Sequence, residues 1–411
     1  MNKIRLVIWG AGKNLQLVYD SVDFNIAQTI GIVDSNIDKQ NVQWNEITVY
    51  NPTIIQKLDY DYIIISPFRY EEIVKECQRL GVEAERIISF WNNKNQYIFL
   101  KDYPKENYLL KRENEILRLK LENNRFELGL EPTPIIQEPC EVLKKMLLDK
   151  SSLCRFGDGE FEMIRMNERP WFQQIDEKLS KKLMQVLDSN DEKINIAIAD
   201  LYGSLSRYTE DAALGMRRYM DLETRKAHMQ LLSFSRVYFD AYVTRPYLIY
   251  QDKKACEDIF RLWKEIFKGR HLLIVEGINS RFGVNNDLLS NALSIRRILC
   301  PARNAFRVYE SIKETVLNNV RKDDVVLITL GPTATVLAYD IAREGYQAID
   351  IGQIDNEYDW YLRNAERQIP IRGKCVAEAA NGRIPKDDID LSQYRKECVA
   401  TVEGEITHRN C

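Results

Sequence analysis

Ser152-Leu153-Cys154-Arg155-Phe156-Gly157-Asp158-Gly159-Glu160 is an apolar run that breaks abruptly into glycines and acids. Such a run reads as a buried β-strand arriving at the edge of its sheet. Extended backbone at that point would aim Asp158 and Glu160, two residues apart, to the same side. The glycines let a ligand come close to the main chain. Hard oxygen donors on one side suit Mg²⁺ or Mn²⁺, ions that usually enter with substrate phosphates. Taken alone, D-x-E is short and common, and a solvated turn with two surface acids would account for it. Here it does not stand alone.

Outward from that strand, residues 140 to about 370 alternate strand and helix patterns. Further strands are expected at 194–199, 271–275, 325–330 and 347–351, with helices at 178–187, 211–229, 255–267 and 334–344. Residues 1 to about 100 alternate in the same way, with strands at 4–9, 30–34, 62–66 and 87–91 and helices from Gly10 to about Val22 and from Tyr70 to Leu80. Alternating β and α with apolar strands predicts parallel, doubly wound sheets. The chain therefore reads as α/β, with two Rossmann-like domains at 1–100 and 140–370 and a C-terminal tail at 371–411.

Gly10-Ala11-Gly12-Lys13-Asn14-Leu15 follows the first strand, and Asp34 lies 24 residues after Gly10. This is the layout of a dinucleotide fingerprint with Leu15 in place of the third glycine. Two readings stand: a nucleotide site, or a tight turn in an accessory domain. The second is preferred, so NAD(P) is not expected there.

Between the domains, residues 104–130 are charged and Leu-rich. Leu110, Asn114, Leu117, Leu121, Asn124 and Leu128 recur at alternating spacings of four and three, a short heptad seam. It reads either as a dimerising helix whose asparagines fix register, giving a homodimer, or as a linker helix packed on its own chain. Gly129, Pro132, Pro134 and Pro139 end it.

The 411 residues are 45% hydrophobic and 29% charged, with a formal charge of −3, so no global basic field recruits nucleic acid. No run is long and apolar enough to span a bilayer, and the first strand meets its glycine loop too early for a signal peptide. Eight cysteines, none spaced C-x-x-C, predict reduced, buried thiols in a cytoplasmic protein. The three histidines, His228, His271 and His408, form no metal-ligand spacing.

Four more polar clusters fall near expected strand ends, where open α/β sheets bind ligands. Glu276 to Asp287 is rich in Gly, Asn and Ser and carries Arg281, so it can offer N–H groups and a guanidinium to a diphosphate. Gly331-Pro332-Thr333 opens a helix, with Thr333 as the expected N-cap beside a phosphate. Asp350 to Trp360 gathers carboxylates and aromatics suited to a sugar, with Asp355 or Glu357 as general base. Arg245, after Tyr242-Val243-Thr244, is a contact for a phosphate or a structural partner of Asp240. Ordinary connecting loops and solvated acidic turns are the bland alternatives.

In this order the clusters resemble the GT-D-fold glycosyltransferase family, bacterial proteins formerly described as a domain of unknown function. The resemblance rests on Arg155-Phe156-Gly157-Asp158-Gly159-Glu160, Tyr242-Val243-Thr244-Arg245-Pro246-Tyr247, Glu276-Gly277, Ser280-Arg281-Phe282-Gly283-Val284, Asn286-Asp287-Leu288, Pro301, Asn304-Ala305-Phe306, Gly331-Pro332-Thr333-Ala334, Asp350-Ile351-Gly352, Asp355 and Glu357-Tyr358. It implies transfer of a sugar from a nucleoside diphosphate sugar, a UDP-sugar first, to a glycan or glycoprotein acceptor. Asp158 and Glu160 would serve Mn²⁺ or Mg²⁺ and the diphosphate. Arg155, Gly157, Arg245, Ser280, Arg281, Asn304, Gly331, Thr333 and Gln353 would bind the donor. Relatives often carry His where this chain has Gln353 and Gly where it has Asn285. The rivals are an NAD(P)-dependent oxidoreductase or epimerase centred on the first domain, and a non-catalytic scaffold of a glycan assembly complex.

Overall fold

The structure, a computed structural model, describes residues 3–92, 95–167, 173–379, 382, 385 and 389–404. His408 and Cys411 lie outside them. The chain forms two compact units, Met1–Arg118 and Leu119–Cys411.

In the first unit the strands are β1 (Ile4–Trp9), β2 (Ala27–Val33), β3 (Gln43–Trp44), β4 (Ile47–Tyr50), β5 (Tyr62–Ile65) and β6 (Ile87–Ser89). They form one sheet in the order β3-β4-β2-β1-β5-β6, parallel except for the β3–β4 hairpin. That hairpin turns on Asn45 and Glu46, both at positive φ (45° and 64°). Two positive-φ residues suit a tight hairpin turn, but Glu is an unusual choice there, and no sequence signal announced it. Ile8 and Ile64 pack into the core on one face of the sheet, and Val7, Ile63 and Ile65 into that on the other.

The loop after β1 is held by its own neighbours. Gly10 has φ 112°, and a Cβ there would lie 2.5 Å from Ser66 Oγ and 2.7 Å from Pro67 Cδ. Asp34 Oδ2 accepts from Ala11 N at 2.7 Å and from Lys39 Nζ at 3.3 Å, while its Oδ1 accepts from Asn36 N at 2.8 Å. The glycine and the acid that suggested a dinucleotide loop thus serve the turn itself.

The Leu-rich stretch is one helix, Asp102–Glu127, which crosses the division between the units. Tyr108 packs with its ring tilted against Trp91 in the first unit, while Glu127 holds Arg217 through two bonds of 2.7 and 2.8 Å in the second. Leu130 N closes the helix end on Arg125 O, with Gly129 at φ 68°.

The second unit contains β7 (Ile135–Gln137), β8 (Ser152–Phe156), β9 (Ile194–Ile198), β10 (Val237–Asp240), β11 (His271–Gly277), β12 (Ser294–Cys300), β13 (Asp324–Thr329), β14 (Gln347–Asp350) and β15 (Cys398–Thr401). All pair in parallel, in the order β15-β12-β11-β13-β14-β8-β9-β10-β7. Three differences from the sequence reading have physical causes. The single helix expected at 211–229 is two, Glu210–Tyr219 and Leu222–Leu231, because Asp221 caps the second by accepting from Thr224 N at 2.8 Å. Strand β12, Ser-Ile-Arg-Arg-Ile-Leu-Cys, hides behind its arginines: Arg297 is buried between Glu276 and Glu397, both at 2.7 Å. The segment set apart as a tail is not separate, since that same Glu397 precedes β15, which pairs with β12 as an edge strand.

The seven described cysteines are free thiols. Burial pushes Cys77 and Cys300 up to about 12 and Cys256 to about 11, which keeps them protonated and unreactive. His228 is buried between Tyr202 OH (2.9 Å) and Tyr219 OH (3.1 Å), and burial lowers it to about 4, a structural neutral imidazole.

Candidate active site

A parallel sheet presents the C-terminal ends of all its strands along one edge. Here the loops that follow β8 to β14, seven strands, converge on one cavity of about 730 Å³. Its wall includes Gly157 to Glu160 after β8, Tyr242 and Arg245 after β10, and Gly277 with Ser280 after β11. Asn304 comes after β12, Gly331 after β13, and Gly352, Gln353 and Asp355 after β14. Apolar side chains, among them Met163, Leu201 and Met216, line the wall as well.

The acid pair is presented by a different backbone from the one expected. Gly157 is an N-cap, and Asp158 and Glu160 occupy the first turn of the helix Asp158–Ile164. Glu160 folds back so that its Oε2 accepts from Gly157 N at 2.8 Å, half of a capping box. That return, rather than strand alternation, brings both carboxylates to the cavity wall. Asp158 is exposed there, its Oδ1 accepting from Gly159 N at 3.0 Å. Burial, with Asp350 nearby, pushes the Glu160 carboxyl up to about 7.

Arg155 is fixed across the sheet. Its Nη2 donates to Asp350 Oδ1 at 3.0 Å and its Nε to the Asp350 carbonyl at 3.1 Å. Thr335 Oγ1 donates to the Arg155 carbonyl (2.9 Å) and to Asp350 Oδ2 (3.2 Å), tying β8, β14 and the helix Pro332–Arg343 together. Gly352, at φ 53°, passes so close that any Cβ would collide with the Arg155 guanidinium and with Thr244 Oγ1. Only glycine fits.

Several expected roles are corrected by the geometry. Thr333 is not the cap of its helix: Gly331 is, and the fully buried Thr333 hydroxyl has no hydrogen-bond partner among the described residues. Arg281 has φ 52°, and its Nη1 donates to the Gly373 carbonyl at 2.9 Å away from the cavity wall. Glu357 is buried, and its Oε2 accepts from Tyr247 N (2.8 Å) and Leu248 N (3.1 Å), bracing the short helix Pro246–Ile249. Its carboxyl, pushed up to about 7 by burial, does not line the cavity. Asp355 reaches the wall, but Lys374 Nζ (2.7 Å) and Asn286 Nδ2 (2.7 Å) engage its two oxygens. Neither acid is placed as a general base.

Ser280, Asn304, Gly331 and Gln353 do line the cavity. Asn304, in the left-handed region at φ 52°, accepts from Gln174 N at 2.8 Å. Arg245 lines it too, and its partner is Glu378 (2.5 Å), not Asp240, which pairs with Arg207 at 2.9 Å. Glu378 Oε1 also accepts from Gln353 Nε2 at 2.7 Å. Glu378 and Lys374 come from the segment set apart as a tail, and no local pattern marks either one. Tyr242 and Asp350 belong to the stretches that carry the family resemblance but have no assigned role there, and both face the cavity.

Among the described residues no three of His, Cys, Asp and Glu gather in a metal cage. An Mg²⁺-type ion that arrives with a diphosphate needs only one or two carboxylates from the protein. Asp158 meets that need, with Glu160 beside it. The wall's acids (Asp158, Glu160, Asp350, Asp355, Glu378) outnumber its arginines (Arg155, Arg245, Arg303), so an anionic ligand would gain from an added cation.

The GT-D glycosyltransferase-fold family model matches residues 153–379, and a C2185-like N-terminal model matches residues 2–88. The glycosyltransferase GlyD of Streptococcus pneumoniae serotype 4 is 33% identical over 339 residues, 80% of this chain and 39% of that protein. A probable glycosyl transferase, Gly, of Streptococcus gordonii is 40% identical over 242 residues, 56% of this chain and 34% of that protein. The chain thus spans between a third and two-fifths of the length of these curated relatives. A solved structure of domain of unknown function 1792, described as a distinct glycosyltransferase fold, is similar with a TM-score of 0.61 at 32% identity, over 71% of this chain and 99% of that one. A glycosyltransferase of the same domain from Streptococcus sanguinis gives 0.60 at 31% identity, over 66% and 100%. No described helix is long and apolar enough to cross a membrane. With the fold, the converging strand-end loops and a family match over more than half of its length, the chain belongs to the GT-D-fold glycosyltransferase family.

Proposed function

We propose that the cavity binds a nucleoside diphosphate sugar, a UDP-sugar first among candidates, and transfers its sugar to a hydroxyl of a glycan or glycoprotein acceptor. The observation that carries this reading is the exposed Asp158 carboxylate on a glycine-lined wall, beside Glu160 and at the strand ends. The diphosphate would lie near Gly331 and Gln353, where the helices Pro332–Arg343 and Ile354–Leu362 begin and their dipoles favour negative charge. Arg245 would exchange Glu378 for a phosphate oxygen. Mn²⁺ or Mg²⁺ held by Asp158, with Glu160 in support, would supply positive charge for the leaving diphosphate. The protein's own part is orientation: Asp350 locks Arg155, Gly352 leaves it room, and the apolar wall excludes water around the sugar.

Isothermal titration with a panel of nucleoside diphosphate sugars and NAD(P)H, with and without Mn²⁺, tests the reading. Metal-dependent binding of one sugar nucleotide that disappears in Asp158→Ala is the expected result. Binding of NAD(P)H alone, indifferent to metal and to Asp158→Ala, would overturn it.

A further inference from the structure

The helix Asp102–Glu127 carries a stripe that its own chain leaves open. Leu110, Asn114, Leu117, Leu121 and Asn124, with Leu128 in the turn just past the helix end, make up the heptad seam, and all are exposed. The four leucines keep 59, 57, 76 and 64% of their surface. The residues of this helix that are buried, Leu119 and Asn123, occupy other heptad positions, outside the seam. Asn123 Oδ1 accepts from Arg225 Nη2 at 2.6 Å, and the Arg225 guanidinium lies 4.0 Å from the Phe126 ring centroid. The described residues therefore pack against one side of the helix and leave the seam uncovered. A linker helix packed on its own chain would bury the seam instead.

We propose that this seam forms a parallel two-stranded coiled coil with a second copy of the chain. The flanking charges select both occupant and direction. With Leu110, Leu117 and Asn124 at d and Asn114, Leu121 and Leu128 at a, the e positions are Lys111, Arg118 and Arg125, and the g positions include Glu106, Glu113 and Lys120. In a parallel pair each g residue faces the next e residue of the other strand. That sets Glu106 against Lys111 and Glu113 against Arg118 of the second copy. Only Lys120 meets a like charge, Arg125, which Glu131 already holds at 2.7 Å. An antiparallel pair would bring the basic e rows together, three cations against three, which is repulsive. Asn114 at an a position can pair with its own counterpart and fix the register. The 26-residue helix is about 39 Å long, which accommodates three heptads.

Light scattering on the full chain through the micromolar range tests this, with a mass of twice 48.2 kDa expected. Leu117→Glu with Leu121→Glu should give a monomer with an unchanged circular dichroism spectrum. Because that pair could disturb folding, a milder cycle accompanies it. Glu113→Arg should weaken the dimer at least tenfold, and Glu113→Arg with Arg118→Glu should restore it. Leu117→Cys should oxidise to a covalent dimer, as facing d positions in a parallel pair allow. A monomer at every concentration, a dimer indifferent to the seam substitutions, or a dimer that Leu117→Cys fails to cross-link overturns the proposal.

Discussion

Both α/β units place glycines directly after a central parallel strand: Gly10-Ala11-Gly12 after β1, and Gly157-Asp158-Gly159 after β8. The first loop is closed by the unit's own side chains. Ser66 Oγ donates to the Gly10 carbonyl at 2.7 Å, Asn14 Nδ2 and Trp91 Nε1 donate to the Ser66 carbonyl at 3.2 and 2.7 Å, and Asp34 takes the Ala11 N–H. The second loop opens into a cavity of about 730 Å³, because the loops of six other strands stand back from it and leave Asp158 exposed. Glycine after a strand therefore permits a site without making one. What decides is whether the neighbouring loops spend their polar groups on one another or aim them at open space.

The contrast can be broken most severely at Asp158. Asp158→Ala should lower sugar transfer by roughly 10²–10³-fold, the scale of losing one electrostatic contact to a developing charge. The thermal melt should stay unchanged, since Asp158 is exposed. Near-normal turnover in this variant would remove the second loop from the chemistry.

Next in size is the buried triad behind the wall. Lys374 Nζ bridges Asp355 (2.7 Å) and Asp359 (2.6 Å) with no exposure of its own side chain. Lys374→Met leaves buried Asp355 without its cation and Asp359 with only the half-exposed Arg363, 3.6 Å away, and should cost about 3–5 kcal/mol of stability in a denaturant melt. A loss below about 1 kcal/mol would mean that the acids escape by protonation or by taking up water.

Glu357 gives a smaller, pH-dependent effect. Burial raises its folded-state pKa from 4.5 to about 7. A raised folded pKa means that the fold holds the proton more tightly than the unfolded chain does. Its contribution is thus complete below about pH 4.5 and is lost as pH rises through about 7. Unfolding free energy should fall across that window, and Glu357→Gln should flatten the fall by roughly 3 kcal/mol. Parallel titration curves for the two proteins would show that Glu357 ionises as freely in the fold as outside it.

The smallest effect should come from the first unit. Asp34→Asn weakens the turn at Ala11 and should cost about 1 kcal/mol, while transfer continues at the parental rate. A transfer defect in a protein that is fully folded at the assay temperature would show that the closed loop takes part in the reaction after all.

Much of this architecture could be read from the chain beforehand. Strands β8, β9, β11, β13 and β14 are apolar runs that give way to glycine or acid at their ends or within two residues, a signal strong enough to place the site there. Strand β12 was hidden because burial of its arginines depends on Glu276 and Glu397, which lie 21 and 100 residues away from Arg297. The roles given to Asp355, Glu357, Arg281 and Thr333 followed from their being polar and near strand ends. Chemistry and position alone cannot separate a carboxylate facing a ligand from one that braces a helix start.

The sequence by itself determined that this is an α/β chain with its functional loops after the strands of the larger unit, because apolar periodicity and glycine breaks are local properties. Tertiary structure alone decided which acids reach the cavity, which arginine is locked by Asp350, and that the last segment returns to put Glu378 in the wall and Lys374 behind it. Those outcomes depend on contacts between residues far apart in the chain, where burial and pairing, not residue type, set what each side chain can do.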